Sequence, residues 1–160
     1  MNKWDKRYLD LAELVASWSK DPSTKVGGCI IDENGNPVSF GFNGLPKGML
    51  DTPERLNDRV FKYAHTIHCE KNMMSFANRL YFDGCTAYIT VPPCSGCLCE
   101  MKQRRLTKIK CYDGGEDFKQ RWSSDAVLEL AKELEIEITV YDKGEENAHI
   151  RKPVGFRRDY

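Results

Sequence analysis

Residues 68–112 read HCEKNMMSFANRLYFDGCTAYITVPPCSGCLCEMKQRRLTKIKCY, and the change of periodicity along them decides the fold. The spacing of Met73, Met74, Phe76 and Ala77 predicts a helix over Cys69–Leu80 with those residues on its buried face. Thr86–Val91 predicts a strand, Ser95–Arg105 a short helix and Lys108–Tyr112 another strand. Further on, Ser124-Asp125 is read as the cap of a helix running through Leu134, and Glu137–Val140 as a last strand. Helix and strand alternating three times imply a largely parallel α/β sheet with helices packed on it.

Upstream, residues 4–19 show Tyr8, Leu11, Ala12, Val15 and Trp18 at helical spacing, and Asp21-Pro22 closes that segment. Val26–Ile31 and Pro37–Phe40 read as two strands joined by the Asn34-Gly35-Asn36 turn, a hairpin signal. Gly27-Gly28 inside the first strand predicts a bulge or a close approach to the backbone. A loop is expected from Gly41 to about Asn57, punctuated by Gly44, Pro46, Gly48 and Pro53; loops of that length are more often functional than idle. The charged stretch Leu50–Tyr63, with Glu54, Arg55, Asp58, Arg59 and Lys62, is a candidate for specificity or regulation.

The 160 residues fit a single domain, 1–160, with 143–160 as a C-terminal extension to which no chemistry is assigned. With 41% hydrophobic and 30% charged residues, the composition excludes disordered and fibrous classes. Lys+Arg and Asp+Glu are equal at 24 each, which weighs against a dedicated nucleic-acid binder. Neither a signal peptide nor a membrane span is read, so the expectation is a cytoplasmic protein with no membrane partner. In a reducing compartment, seven cysteines with tight local spacing point to metal or catalysis before disulfides.

His68-Cys69-Glu70 and Pro92-Pro93-Cys94-Ser95-Gly96-Cys97 carry the chemistry. Imidazole and two thiolates suit zinc, and three protein ligands leave a fourth position for water, the mark of a catalytic site. Cys94 and Cys97 are three apart at an expected helix start, which brings them to one side and favours the thiolate. Glu70, two residues from His68, points differently and need not bind the metal. Zinc lowers the pKa of its water from about 15.7 towards roughly 7, so a positioned carboxylate can take that proton and deliver it to a substrate. The pattern is the signature of deaminases acting on nucleobases. A thiol redox pair would leave His68, Glu70 and the double proline without a role. A structural zinc site needs a fourth ligand, which Cys69 or Cys99 could supply. His65 has Ile67 rather than a glutamate two residues on, which leaves His68 as the ligand. Cys29, Cys85 and Cys111 read as packed small hydrophobes.

The chain resembles the deoxycytidylate (dCMP) deaminase family of the cytidine deaminase superfamily, from about Trp4 to Gly115. The resemblance is carried by Ser19–Gly27, Gly41–Gly48, His68-Cys69-Glu70 and Pro93–Cys97; the glycine-rich loop separates it from tRNA adenosine and riboflavin-pathway relatives. It implies a three-layer α/β/α sandwich with a mixed five-stranded sheet and helices on both faces. It also implies hydrolytic, Zn2+-dependent conversion of dCMP to dUMP for thymidylate synthesis, activation by dCTP, inhibition by dTTP, and a homohexamer. By position, His68, Cys94 and Cys97 match the metal ligands and Glu70 the proton shuttle. Asn43 matches a nucleotide contact, Ser23 and Lys25 match positions near the phosphate, and Tyr112 matches an aromatic residue near the substrate. Cys69 and Phe42 depart from the Ala and Tyr usual there, and a second structural zinc set is not seen. The same chemistry serves deaminases of dCTP, modified cytosine nucleotides or polynucleotide bases; editors of polynucleotides need a basic face. A zinc-stabilised binding or regulatory module would leave Glu70 without a use.

Overall fold

The computed structural model describes residues 1–115, 118 and 124–143, so the extension expected at 143–160 lies outside them beyond its first residue. The elements in chain order are α1 (Lys3–Ala16), β1 (Gly27–Ile31), β2 (Pro37–Phe42), α2 (Pro53–Asn57), α3 (Arg59–His65), α4 (Cys69–Phe76), β3 (Thr86–Ile89), α5 (Ser95–Gln103), β4 (Lys108–Tyr112), α6 (Ser124–Glu133) and β5 (Glu137–Tyr141). The strands form one sheet in the order β2-β1-β3-β4-β5. β1 pairs antiparallel with both β2 and β3, whereas β3, β4 and β5 run parallel. The sheet is therefore mixed. The hairpin β1–β2 inserts edge-on against the parallel trio, a placement that local periodicity does not encode.

Alternation along each strand sorts the core into two layers. Ile30, Ala87, Ile89, Ile109, Cys111 and Ile138 face Met73 and Met74 of α4, Leu98 and Met101 of α5 and Ala131 of α6. Cys29, Ile31, Tyr88, Tyr112 and Tyr141 face the opposite way, towards Leu9 of α1. Helices thus cover both faces, which is why every residue of β1 is buried. Gly27 shows what the α1 layer demands: a Cβ there would lie 2.1 Å from the Ala16 backbone nitrogen. The close approach expected at this glycine is present, and the irregularity of β1 falls instead between Ile30 and Ile31.

Several boundaries differ from the sequence reading. Helix α1 ends at Ala16, and its buried stripe is Leu9, Ala12, Val15 and Ala16, leaving Trp18 52% exposed. Phe76 is likewise exposed at the end of α4, whose buried face is Met73 and Met74. Part of the expected loop, with the charged stretch after it, forms α2 and α3. Thr52 accepts a hydrogen bond from Arg55 N with Pro53 at the first helical position, and Asp58 accepts one from Phe61 N. These are ordinary N-cap signals, but helices of 5 and 7 residues carry too little periodicity to read. The capping side chains read at Ser124-Asp125 lie outside the described residues. Among the described residues, no helix is long and apolar enough to cross a membrane.

A buried carboxylate pins α1 to the sheet. Asp5 accepts hydrogen bonds from Tyr88 Oη (2.8 Å), Tyr141 Oη (2.8 Å) and Lys110 Nζ (2.8 Å). Burial pushes its pKa up, but the bonds from Lys110, Tyr141 and Tyr88 outweigh that, and the carboxyl stays below its ordinary range. Replacing Asp5 by Ala leaves a cation and two hydroxyls without their acceptor. The expected cost is on the order of 3 kcal/mol, read as a lower urea midpoint with unchanged slope. A midpoint equal to that of the parent protein would contradict this role.

Candidate active site

Two helix N-termini meet at the site. His68 is the N-cap residue of α4 and Cys94 that of α5, both with extended backbone and neither making a side-chain capping bond. Their side chains are therefore free to point away from the helices. Cys97, one turn into α5, returns to the same side as Cys94. The α4 start is held against β2 at Gly41, where a Cβ would sit 2.5 Å from Met73 N and 2.7 Å from Cys69 O. Asn72 Nδ2 adds a hydrogen bond to Phe42 O at 2.7 Å. The α5 start is set by buried Pro93 and buried Leu98.

Cys94 Sγ and Cys97 Sγ each lie 3.5 Å from His68 Nδ1. The three candidate ligand atoms fall within 4.8 Å of one another. A tetrahedral zinc with bonds of roughly 2.3 Å to sulfur and 2.0–2.1 Å to nitrogen requires N···S edges of about 3.6 Å. The observed edges match, and the donor set has the borderline softness that zinc prefers. Hydrogen bonding from Cys97, and then from His68, pushes the Cys94 thiol well below its ordinary range. The contact with Cys94 in turn raises the His68 pKa.

Glu70, in the first turn of α4, is only 4% exposed, and its carboxyl interacts with Cys97 beside the cluster. Burial raises its pKa above the usual carboxylate range. A buried acid near three metal-type donors, yet outside their set, is suited to exchanging a proton. The fourth ligand of a purely structural centre is not supplied where the sequence allowed it. Cys69 Sγ donates to Gly41 O at 3.3 Å, and Cys99 is exposed; neither joins the cluster.

His68, Cys94 and Glu70 line a cavity of about 930 Å3 that also takes in Asp21, Ser23, Asn43 and, from α3, Arg59 and Lys62, with Cys97 buried behind His68 and Cys94. That volume suits a nucleotide-sized ligand. Of the residues expected at a substrate, Ser23 and Asn43 lie on this lining. Asn43 uses its amide to brace the neighbouring loop: Oδ1 accepts from Val26 N at 2.8 Å and Nδ2 donates to Thr24 O at 2.9 Å. Lys25 lines an adjoining cleft of about 540 Å3 with Thr90, Asp142 and Lys143. Tyr112 is not brought to the site. In β4 the residues facing α4 and α5 are Ile109 and Cys111, so the next residue, Tyr112, turns to the α1 layer. The period of two along a strand excludes it from the side that carries Glu70. The reading also missed Asp21, whose carboxylate accepts from Ser23 N (2.8 Å), Thr24 N (3.0 Å) and Lys62 Nζ (2.9 Å). The i, i+3 spacing of Arg59 and Lys62 was the available signal, had α3 been recognised as a helix.

Comparison with known proteins identifies the family and the fold. The model of the cytidine and deoxycytidylate deaminase zinc-binding region matches residues 2–113. An Aliivibrio fischeri protein described as an uncharacterized deaminase in the luxG 3′ region is 43% identical over 122 residues, covering 76% of this chain and 81% of that one. Mouse deoxycytidylate deaminase is 34% identical over 102 residues, 59% of this chain, and the match spans about half (56%) of the mouse protein. The dCMP deaminase of cyanophage S-TIM5, solved in complex with dCMP and dUMP, superposes with a TM-score of 0.65 at 22% identity. That superposition covers 88% of this chain and 98% of the phage chain, and it extends the agreement to the three-layer fold. On the extent of the family match, together with the 43% identical relative, this chain belongs to the family of cytidine and deoxycytidylate deaminases and is a deaminase.

Proposed function

We propose that the protein is a single-domain enzyme that hydrolyses dCMP to dUMP and ammonia with Zn2+ held by His68, Cys94 and Cys97. The observation that carries this reading is one cavity lined by His68 and Cys94 of the His68/Cys94/Cys97 donor set, by the buried acid Glu70 and by the cations of α3. When bound, zinc supplies Lewis acidity that brings the pKa of water down to roughly 7. Glu70 would take one proton from the attacking water and pass it to the ring nitrogen as the water oxygen bonds to the carbon bearing the amino group. It would then carry the second water proton to the amino nitrogen, so that the carbon–nitrogen bond breaks and ammonia leaves. Val91, Pro92, Pro93 and Val127 give the cavity an apolar wall suited to a planar base, and the Asp21–Thr24 turn lies on the same lining. The mouse and cyanophage relatives, both named as deaminases of dCMP, support the monophosphate as substrate. The reading extends to activation by dCTP, inhibition by dTTP and a hexameric assembly, on the sequence resemblance.

The test is ammonia release by zinc-loaded protein offered dCMP, dCTP, deoxycytidine and CMP separately, each with and without dCTP or dTTP as effector. A clear preference for dCMP is the expected result, and a response to the triphosphates would bear out the regulation. Turnover of dCTP with none of dCMP would replace the substrate. Stoichiometric zinc without any turnover would remove this substrate class.

A further inference from the structure

The rim of the cavity carries a charge arrangement for which the deamination step has no use. Lys62 is only 6% exposed, although lysines are almost never buried without a partner. Its ammonium donates to Asp21 Oδ1 at 2.9 Å and to the Ser23 hydroxyl. An ammonium has three donors, so among the described residues one is left, on a side chain that lines the cavity. Asp21 is committed to four donors: Ser23 N, Ser23 Oγ, Thr24 N and Lys62. It therefore fixes both the turn and the ammonium. Arg59, three residues before Lys62 and on the same side of α3, also lines the cavity and has no ion pair or hydrogen bond among the described residues. Summed over this corner, Arg59 and Lys62 outweigh Asp21 by one positive charge. The other carboxylates of the lining, Glu70 and Asp113, come from α4 and the end of β4.

We propose that Lys62 and Arg59 form the subsite that takes the phosphate of the nucleotide, Lys62 as the inner donor and Arg59 as the outer one. Asp21 is the positioning residue that holds the ammonium in place. The inference rests on the deaminase reading and deepens it, because it assigns the groups that separate a nucleotide from a nucleoside. It also moves that role from Lys25, which faces the adjoining cleft, to α3. Lys62 is pre-positioned, so the ordering of a long side chain does not count against binding. Arg59 offers the planar fork that suits phosphate oxygens.

Two variants test this in the zinc-loaded protein. Arg59→Ala alters an exposed residue and leaves the fold intact. Lys62→Met combined with Asp21→Asn removes both buried charges together, so neither is left unpaired. Binding of dUMP and of deoxyuridine is measured by calorimetry, and kcat/KM for dCMP and deoxycytidine by ammonia release. Both variants are expected to lose about 10- to 100-fold in dUMP affinity and in kcat/KM for dCMP, through KM. Deoxyuridine affinity and deoxycytidine turnover should change by less than about threefold, and Lys25→Ala should leave all four values near those of the parent. Equal losses on the phosphorylated and unphosphorylated compounds would overturn the proposal, as would a loss confined to Lys25→Ala. The dUMP measurement needs no turnover, so it decides the subsite even if dCMP is not the substrate.

Discussion

Glu70→Gln is expected to lower kcat for dCMP by about 10²- to 10⁴-fold, the range associated with a positioned proton carrier. The substitution keeps shape and hydrogen-bonding length but removes the ability to hold a proton reversibly. Because Glu70 is buried at the start of α4 and stands outside the His68/Cys94/Cys97 donor set, zinc content should remain at one per chain. Folding should survive as well. Burial penalises the Glu70 carboxylate, and a neutral amide of the same volume carries less of that penalty, so the melting temperature should stay level or rise. This combination separates the readings: a residue needed only for packing would lose stability with activity, and a fourth metal ligand would lose zinc. Activity within tenfold of the parent would remove Glu70 from the chemistry.

Much of this site was legible because its chemistry is local in sequence. His68 and Glu70 are two residues apart, Cys94 and Cys97 three, and both pairs stand at the starts of helices expected from the sequence, over Cys69–Leu80 and Ser95–Arg105. Only the juxtaposition of the two helix starts is long-range, and the ligand chemistry itself predicts it. The α/β class was legible for the same reason, since β3-α5-β4 and β4-α6-β5 repeat a local unit. The insertion of β1 between β2 and β3 was not, because pairing partners are chosen by the whole sheet rather than by either strand.

The arrangement of the polar and charged residues around the cavity was less legible, and the reason is again physical. The resemblance places Lys25 and Asn43 near a nucleotide; Asn43 lines the cavity while its amide also holds backbone groups of Thr24 and Val26, and Lys25 lines the adjoining cleft. Tyr112 differs from Cys111 by one step along a strand, and that step moves a side chain to the other layer. Conversely Lys62 is one charge in a stretch that the sequence marks only as a whole, as a candidate for specificity or regulation. Its burial follows from α3, a helix of 7 residues that owes its start to Asp58 and its position to an ion pair with Asp21, 41 residues away. Short capped helices and distant ion pairs leave little trace in periodicity.

Cys97→Ala is expected to strip the protein of zinc and abolish deamination, with a lower melting temperature than that of the zinc-loaded parent. Three ligands hold the metal in this reading, so removing one leaves an imidazole and a single thiolate, a donor pair that does not retain zinc through dialysis. Cys97 is fully buried and 3.5 Å from His68 Nδ1, hence the loss is of a contact that no neighbouring cysteine replaces. Cys69 is turned to Gly41 O, and Cys99 faces solvent on the same helix. Cys69→Ala and Cys99→Ala should accordingly keep one zinc per chain. Metal content and melting temperature are both measured, the second because binding to the folded chain alone stabilises it. Chelator treatment of the parent should reproduce the thermal shift of Cys97→Ala, and re-addition of zinc should reverse it only in the parent. Full zinc retention in Cys97→Ala would overturn the ligand assignment. Loss of zinc in Cys99→Ala would instead point to a structural centre of three thiolates and one imidazole, for which a buried Glu70 beside the metal has no role.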